Sequence, residues 1–458
     1  MRDGVHNDPL GFETEDEPNS GWNRRDFLTK TGRTGLLVGG ALSFPSVLAA
    51  CGGDDEGGGE VKPKAATPLN DIFGPGGEKA GQGLEISDGM MLAMTGQGSF
   101  FGRVMSRGAK LGAAQIEASG GPKFEIAIAD HESGLIPPAV TGVRRLITQD
   151  NIVTLQTSYG APSEAIIPLL QQNQVLSFNG GGSSPGQVGK DFLWQTRMLF
   201  AYDPADGGLA YLAREFPEVR RLALVGTEEN GVEAFKQKVP RIWPQLVQGG
   251  EIVAREIHEV GLTEFGAVVA RIKSSGADAV FTVSFGNDLG YFVKQLREAN
   301  VDIPVMGIEF TDQACKIAGD AYDTYMFATD HYDPANKSPW NVEYVKAHKA
   351  EYGDLPEYYG TNYYEQAFVI WELVRRVIAS GGDPESGADL QNALMEDPEF
   401  KSLYGGGPNK VGTMRFDPKG HTIDKAMGVF SVKDCKTKLL APIKRVKDGE
   451  DPRTALEV

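Results

Sequence analysis

The strongest constraint on this chain is a regular alternation of short apolar runs with longer helix-like stretches. It occurs twice in succession. In the first series, strand-like runs at Met90–Met94, Phe124–Ala129, Ile152–Leu155 and Val175–Phe178 are separated by helical patterns at Gly102–Ala118, Pro138–Gln149 and Pro162–Gln172. In the second, strands at Leu222–Val225, Ile252–Arg255, Ala279–Val283 and Val305–Ile308 alternate with helices at Pro204–Phe216, Val232–Leu246, Phe265–Ser274 and Leu289–Ala299. Short apolar strands separated by helices imply mostly parallel sheets covered on both faces. Two such series imply two doubly wound α/β lobes. The end of the chain differs: helices at Ser338–Tyr352, Tyr358–Ser380 and Leu390–Met395 precede Val411–Phe416 and Met427–Val432. These last two runs read as an antiparallel pair connected through Asp417-Pro418-Lys419-Gly420.

The first fifty residues read as an address. Arg24-Arg25 followed by Phe27-Leu28 resembles the twin-arginine export motif. The apolar stretch from Gly35 to Ala50 is too short and too weakly apolar for a membrane span and suits the middle of a signal peptide. It ends in Leu48-Ala49-Ala50-Cys51, which looks like a lipobox with Cys51 as the acylated residue. The Gly- and Asp-rich run after Cys51 lacks apolar side chains, so residues 52–83 read as a flexible tether. The expected location is therefore the outer face of a membrane, with a lipid as anchor.

A net charge of -17 offers no basic footprint for nucleic acid. Besides Cys51 the cysteines are Cys315 and Cys435, which could pair in an oxidising compartment or stay as separate thiols. Three enzyme-like patterns fail. After Gly96-Gln97-Gly98, position 101 of a dinucleotide fingerprint is Phe101 rather than Gly. Before Gly189-Lys190, the first glycine of a phosphate loop would fall on Ser184, and Asp191 replaces its Ser/Thr. Gly182-Ser183-Ser184-Pro185-Gly186 matches a nucleophile elbow, but Pro185 has no N–H to build the oxyanion hole. No metal-binding spacing is legible, and neither a metal nor a cofactor is expected.

Polar loops at the C-terminal ends of the strands remain, which is where open α/β sheets bind ligands. Here the sequence acquires a family likeness. Met94-Thr95-Gly96 to Phe101-Gly102, then Ala109 to Ile116 and Glu117-Ala118-Ser119-Gly120-Gly121, resemble the opening of the branched-chain amino-acid-binding proteins of ABC transporters. The likeness continues in order through Val305-Met306-Gly307-Ile308-Glu309, Ile317 to Ala321 and Tyr363 to Ala367, covering roughly Met90 to Val432.

The resemblance implies a periplasmic-binding-protein type I fold, in which two lobes close like a flytrap about a three-segment hinge near Ala201, Ala328 and Met414. Lobe 1 would comprise 84–201 and 329–413, lobe 2 would comprise 202–328 and 414–446, and 447–458 would be a tail. It also implies a ligand carboxylate held by Ser158 or Tyr159, by Gly180 to Gly182 and by Ser183, an ammonium on Glu309, and aromatic walls at Phe101, Phe285 and Tyr364. The family's tyrosine in the third loop is Asn230 here, and Ser177 to Ser183 is longer and richer in glycine than the family's turn, which puts leucine itself in doubt. The expected partners are an amino-acid-like small molecule and the membrane subunits of a permease, with the protein itself a monomer. A ligand sensor of the same fold, and an exported hydrolase or redox enzyme, are the rival readings.

Overall fold

The computed structural model describes residues 80–182, 184–197, 203–227, 238–446 and 449–456. The twin-arginine pair, Cys51, Ser183 and Asn230 lie outside these residues. Five strands form the first sheet: β1 (Glu85–Leu92), β2 (Lys123–Asp130), β3 (Thr154–Thr157), β4 (Leu176–Asn179) and β5 (Leu193–Gln195). They are parallel in the order β2-β1-β3-β4-β5. The helices α1 (Ser99–Ala118), α2 (Ile136–Thr148) and α3 (Gly160–Asn173) connect them.

The second sheet repeats the plan. Its strands β6 (Arg221–Thr227), β7 (Glu251–His258), β8 (Ala279–Val283), β9 (Val305–Gly307) and β10 (Tyr325–Asp330) follow the order β7-β6-β8-β9-β10. Two antiparallel strands, β14 (Met427–Lys433) and β15 (Lys436–Ile443), extend it to seven. Its helices are α4 (Asp203–Glu215), α5 (Val239–Leu246), α6 (Gly266–Ser275), α7 (Gly286–Glu298) and α8 (Asp312–Ala318). The fold is thus α/β with two lobes and mostly parallel sheets. Among the described residues no helix is long and apolar enough to cross a membrane.

After β10 the chain returns to lobe 1 through α9 (Pro339–Tyr352), α10 (Tyr358–Ser380) and α11 (Gly387–Glu396). Helix α10 crosses α1 where both are small: a Cβ on Gly108 would overlap the Gly360 carbonyl. This close approach seats Tyr359 and the rest of the first turn of α10 beside the cleft.

Three features differ from the sequence reading. The run Gly412–Phe416 (β12) does not pair with β14. It pairs with Glu399–Ser402 (β11) and Ile423–Asp424 (β13) in a separate three-stranded sheet. Phe416 lies edge-on to Trp194, and His421 stacks on the same indole at 4.0 Å, so 414–426 packs with lobe 1 and not lobe 2. The third crossover accordingly lies just before Met427 rather than at Met414. Nor is the end a loose tail: Leu456 bridges Ile443, and Ala455 is fully buried.

Cys315, in α8, is bonded to Cys435, in the β14–β15 turn. Sequence left this pairing open because a Cα–Cα approach of 5.7 Å between residues 120 apart is a tertiary fact.

Candidate functional site

The C-terminal ends of both parallel sheets face a cleft of about 480 Å³ lined by residues of both lobes. On the lobe 1 side, the loop after β1 is fixed by hydrogen bonds. Asp130 accepts from the Met94 N–H (2.9 Å) and the Thr95 hydroxyl (2.6 Å), while Ser133 Oγ accepts from the Gly98 N–H (2.8 Å) and donates to Thr95 O (2.6 Å). Helix α1 then projects Phe101 and Arg103 into the cleft. The Phe101 ring meets Tyr359 edge-on at 5.2 Å and reaches Gly286 of lobe 2.

Tyr159 precedes α3 with φ of 65°, a left-handed conformation unusual outside glycine. Its ring lines the cleft beside the start of α3, where Gly160 also lies. The unpaired N–H groups of a helix start attract an anion. The neighbouring Ser158 does not share the partial exposure of Tyr159. It is fully buried, with Oγ 2.9 Å from His131 Nε2 and donating to Met91 O, so it does not line the cleft as expected. Gly134 donates to His131 Nδ1, which assigns the ring proton to Nε2, and burial pushes the pKa of His131 down to about 4.

Gly180 is also not a cleft residue. Its N–H goes to Thr157 O (3.3 Å), and a Cβ on it would overlap the Gln366 amide. Gly181 and Gly182 do line the cleft, but the Gly181 N–H is accepted by Asn179 Oδ1 (3.1 Å). Tyr364 is displaced furthest from expectation. It is fully buried in a helix-packing core, stacked on Tyr344 at 3.9 Å, accepting from Trp340 Nε1 at 3.0 Å and donating to Gln115. The tyrosine of α10 that faces the cleft is Tyr359. Five residues along a helix turn the side chain by about 140°, so the two cannot share a face.

Lobe 2 contributes Phe285 and Glu309. Glu309 is fully buried at the end of β9. Its Oε1 accepts the Gly286 N–H (2.8 Å) and its Oε2 accepts the Tyr359 hydroxyl (3.0 Å), the second bond coming from lobe 1. Burial pushes its pKa up to about 7, partly offset by the Gly286 N–H and the nearby charge of Arg197. An ionised carboxylate buried with neutral donors alone is costly, and a bound cation would relieve that cost.

Residues 85–437 match the sequence profile described as periplasmic binding protein. The chain belongs to that family. It is similar to the Leu/Ile/Val-binding protein homolog 1 of Brucella melitensis biotype 1, 23% identical over 347 residues, covering 73% of this chain and 87% of the relative. Among solved structures, the branched-chain amino acid transporter substrate binding protein LivJ from Streptococcus pneumoniae, in complex with isoleucine, has a TM-score of 0.67 at 18% identity. The match covers 79% of this chain and 99% of that one. An R. palustris ABC transporter solute-binding protein in complex with benzoate has a TM-score of 0.68 at 19% identity, covering 80% and 98%. These structures share the type I fold. Periplasmic binding proteins are exported, bind small molecules and work with ABC permeases rather than catalysing reactions.

In this periplasmic binding protein the hinge carries buried charge. Arg197, after β5, bonds Asp330 at the end of β10 through Nε (2.6 Å) and Thr329 through Nη2 (2.9 Å). Its guanidinium lies over the rings of Tyr358 (4.9 Å) and Tyr359 (4.6 Å). Lys425, just before β14, pairs with Glu365 at 2.8 Å and sits 3.6 Å from the Tyr404 ring centre. Thus Arg197 fixes the tyrosine that bonds Glu309. Sequence reasoning missed Tyr359, Arg103, Asp288 and this hinge network. A first-turn position after Pro356-Glu357 was the available signal for Tyr359. Nothing local marked Arg197.

Proposed function

We propose that this protein is a lipid-anchored solute-binding component of an ABC importer that captures an amino-acid-like molecule between its lobes. The single observation that carries the reading is Glu309: a fully buried carboxylate at the cleft wall, hydrogen-bonded from both lobes by neutral donors only. A ligand ammonium there makes a charge-assisted pair. The ligand carboxylate lies at the start of α3, near Gly160 and Gly182, Arg103 supplies a positive charge to the same cleft, and Phe101, Phe285 and Tyr359 enclose the apolar part. A ligand that binds the closed form better shifts the lobes toward closure. The solved relatives with isoleucine and with benzoate accord with a carboxylate-bearing ligand. Glu309 favours one that also carries an amine.

The test is isothermal titration with a panel of amino acids and their deaminated analogues. Amino acids should bind and Glu309→Gln should weaken them by tenfold or more. Equal affinity for the deaminated analogues, or no effect of the substitution, defeats the reading. For the anchor, Cys51→Ala should release the protein from the membrane fraction and abolish labelling by a radioactive fatty acid. Retention and labelling of the variant would refute lipidation at Cys51.

A further inference from the structure

The cleft contains more negative charge than a zwitterion requires. The charged side chains lining it among the described residues are Arg103, Asp288 and Glu309, two carboxylates against one guanidinium. An α-carboxylate and an α-ammonium would match Arg103 and Glu309. Asp288 would then be left without a cation in a closed, water-poor site, which is costly.

Asp288 is only 5% exposed and is the third residue of α7, whose first residue, Gly286, donates its N–H to Glu309. The two carboxylates are therefore tied to one helical turn. Oδ2 of Asp288 accepts the Gly261 N–H at 2.8 Å, which accounts for one oxygen. The other has no donor from any other described residue. His258 approaches only to 4.0 Å and offers no charge. Its Nδ1 bonds Glu259 O, its Nε2 lies 2.9 Å from Ser284 Oγ, and burial pushes its pKa below the usual histidine value. The lobe 2 lining that includes Asp288 also holds Gly261, Thr263, Asn287 and Gln313 together with Val260 and Tyr291, so it is largely polar and Val260 is its one aliphatic side chain among the described residues.

We infer that Asp288 forms a second cation-recognising subsite, and that the ligand is a dibasic amino acid whose side-chain ammonium lies on Asp288 while its α-ammonium lies on Glu309. The methylenes between the amines pack on Phe101 and Phe285. A ligand of net charge +1 leaves the closed cleft neutral. The inference rests on the proposed capture of an amine by Glu309, and the two can fail separately.

Lysine and norleucine differ only in the terminal amine, so they isolate the second subsite. In titrations of the full chain at low ionic strength, lysine should bind at least tenfold more tightly than norleucine. Asp288→Asn keeps an oxygen for the Gly261 N–H. It should erase that preference, in part by raising norleucine affinity because no unpaired carboxylate is then buried on closure, and Glu309→Gln should weaken both ligands. Norleucine binding as tightly as lysine to the wild-type protein overturns the inference but spares the function. A lysine preference that survives Asp288→Asn, in a variant with unaltered circular dichroism, also overturns it. If neither amine binds, both readings fall.

Discussion

Lowering the pH should release the ligand, and Glu309 determines where. An ammonium pairs with the ionised carboxylate, whereas the empty site holds that carboxyl at about pKa 7 because it is fully buried. With that value the ionised fraction falls from about 0.9 at pH 8 to about 0.01 at pH 5, so apparent affinity should drop about ninetyfold, or roughly 2.7 kcal/mol. The ligand's α-ammonium and α-carboxylate keep their charges across this range. The groups facing Glu309 are Arg197, Tyr325 and Tyr359, and none of them titrates between pH 5 and 8. Glu357 lies close by and is itself raised to about 7; its protonation removes a neighbouring negative charge and so weakens the hold on an ammonium in the same direction as protonation of Glu309. The assay is titration calorimetry with norleucine, which has no amine for Asp288, at unit steps of pH. A flat profile, or an identical slope in Glu309→Gln, would refute the assignment.

Other perturbations test the fold beneath the site. Asp88 is buried in β1 with only Thr154 and Gln156 as donors, and burial raises its carboxyl from 3.8 to about 6. Its raised value means that its stabilising acid form is present below about pH 4 and is lost as pH rises through 6. Asp88→Asn should therefore stabilise the protein at pH 8 by up to about 3 kcal/mol and do little at pH 4, measured by urea unfolding. An equal effect at both pH values would contradict this. Gly108→Ala adds a good helix former, worth about 1 kcal/mol, but its methyl would overlap the Gly360 carbonyl. Because backbone cannot rotate away, a net loss of roughly 1–3 kcal/mol is expected, and a raised melting temperature would show that α1 and α10 are less tightly apposed. Reducing the Cys315–Cys435 bond reopens a 120-residue loop and should cost about 2–5 kcal/mol, seen as a lower urea midpoint in reductant. An unchanged midpoint would remove the bond from the stability of lobe 2.

Local periodicity was enough for the two α/β series, because a buried strand or an amphipathic helix writes its own pattern into neighbouring residues. The loops at the strand ends were legible for the same reason, since a parallel sheet ends its strands on one side, whereas Glu309, Phe101, Phe285 and Tyr159 within them were singled out only by the family resemblance. The side chains that face inward at those loops were not legible. Tyr159 and Ser158 are adjacent and both touch His131, but only Tyr159, with its left-handed φ, also lines the cleft. Tyr359 and Tyr364 share a helix, and only its crossing with α1 selects which of them meets the ligand space.

The chain alone thus determined the alternating elements, the two lobes and the polar rims between them. Packing decided the rest: the partner of β12, the pairing of Cys315 with Cys435, the Arg197–Asp330 link through the hinge and the place of Asp288 beside Glu309. Those contacts join residues tens to hundreds of positions apart. Their selection depends on shape and burial across the whole core, and a sequence window holds no record of that.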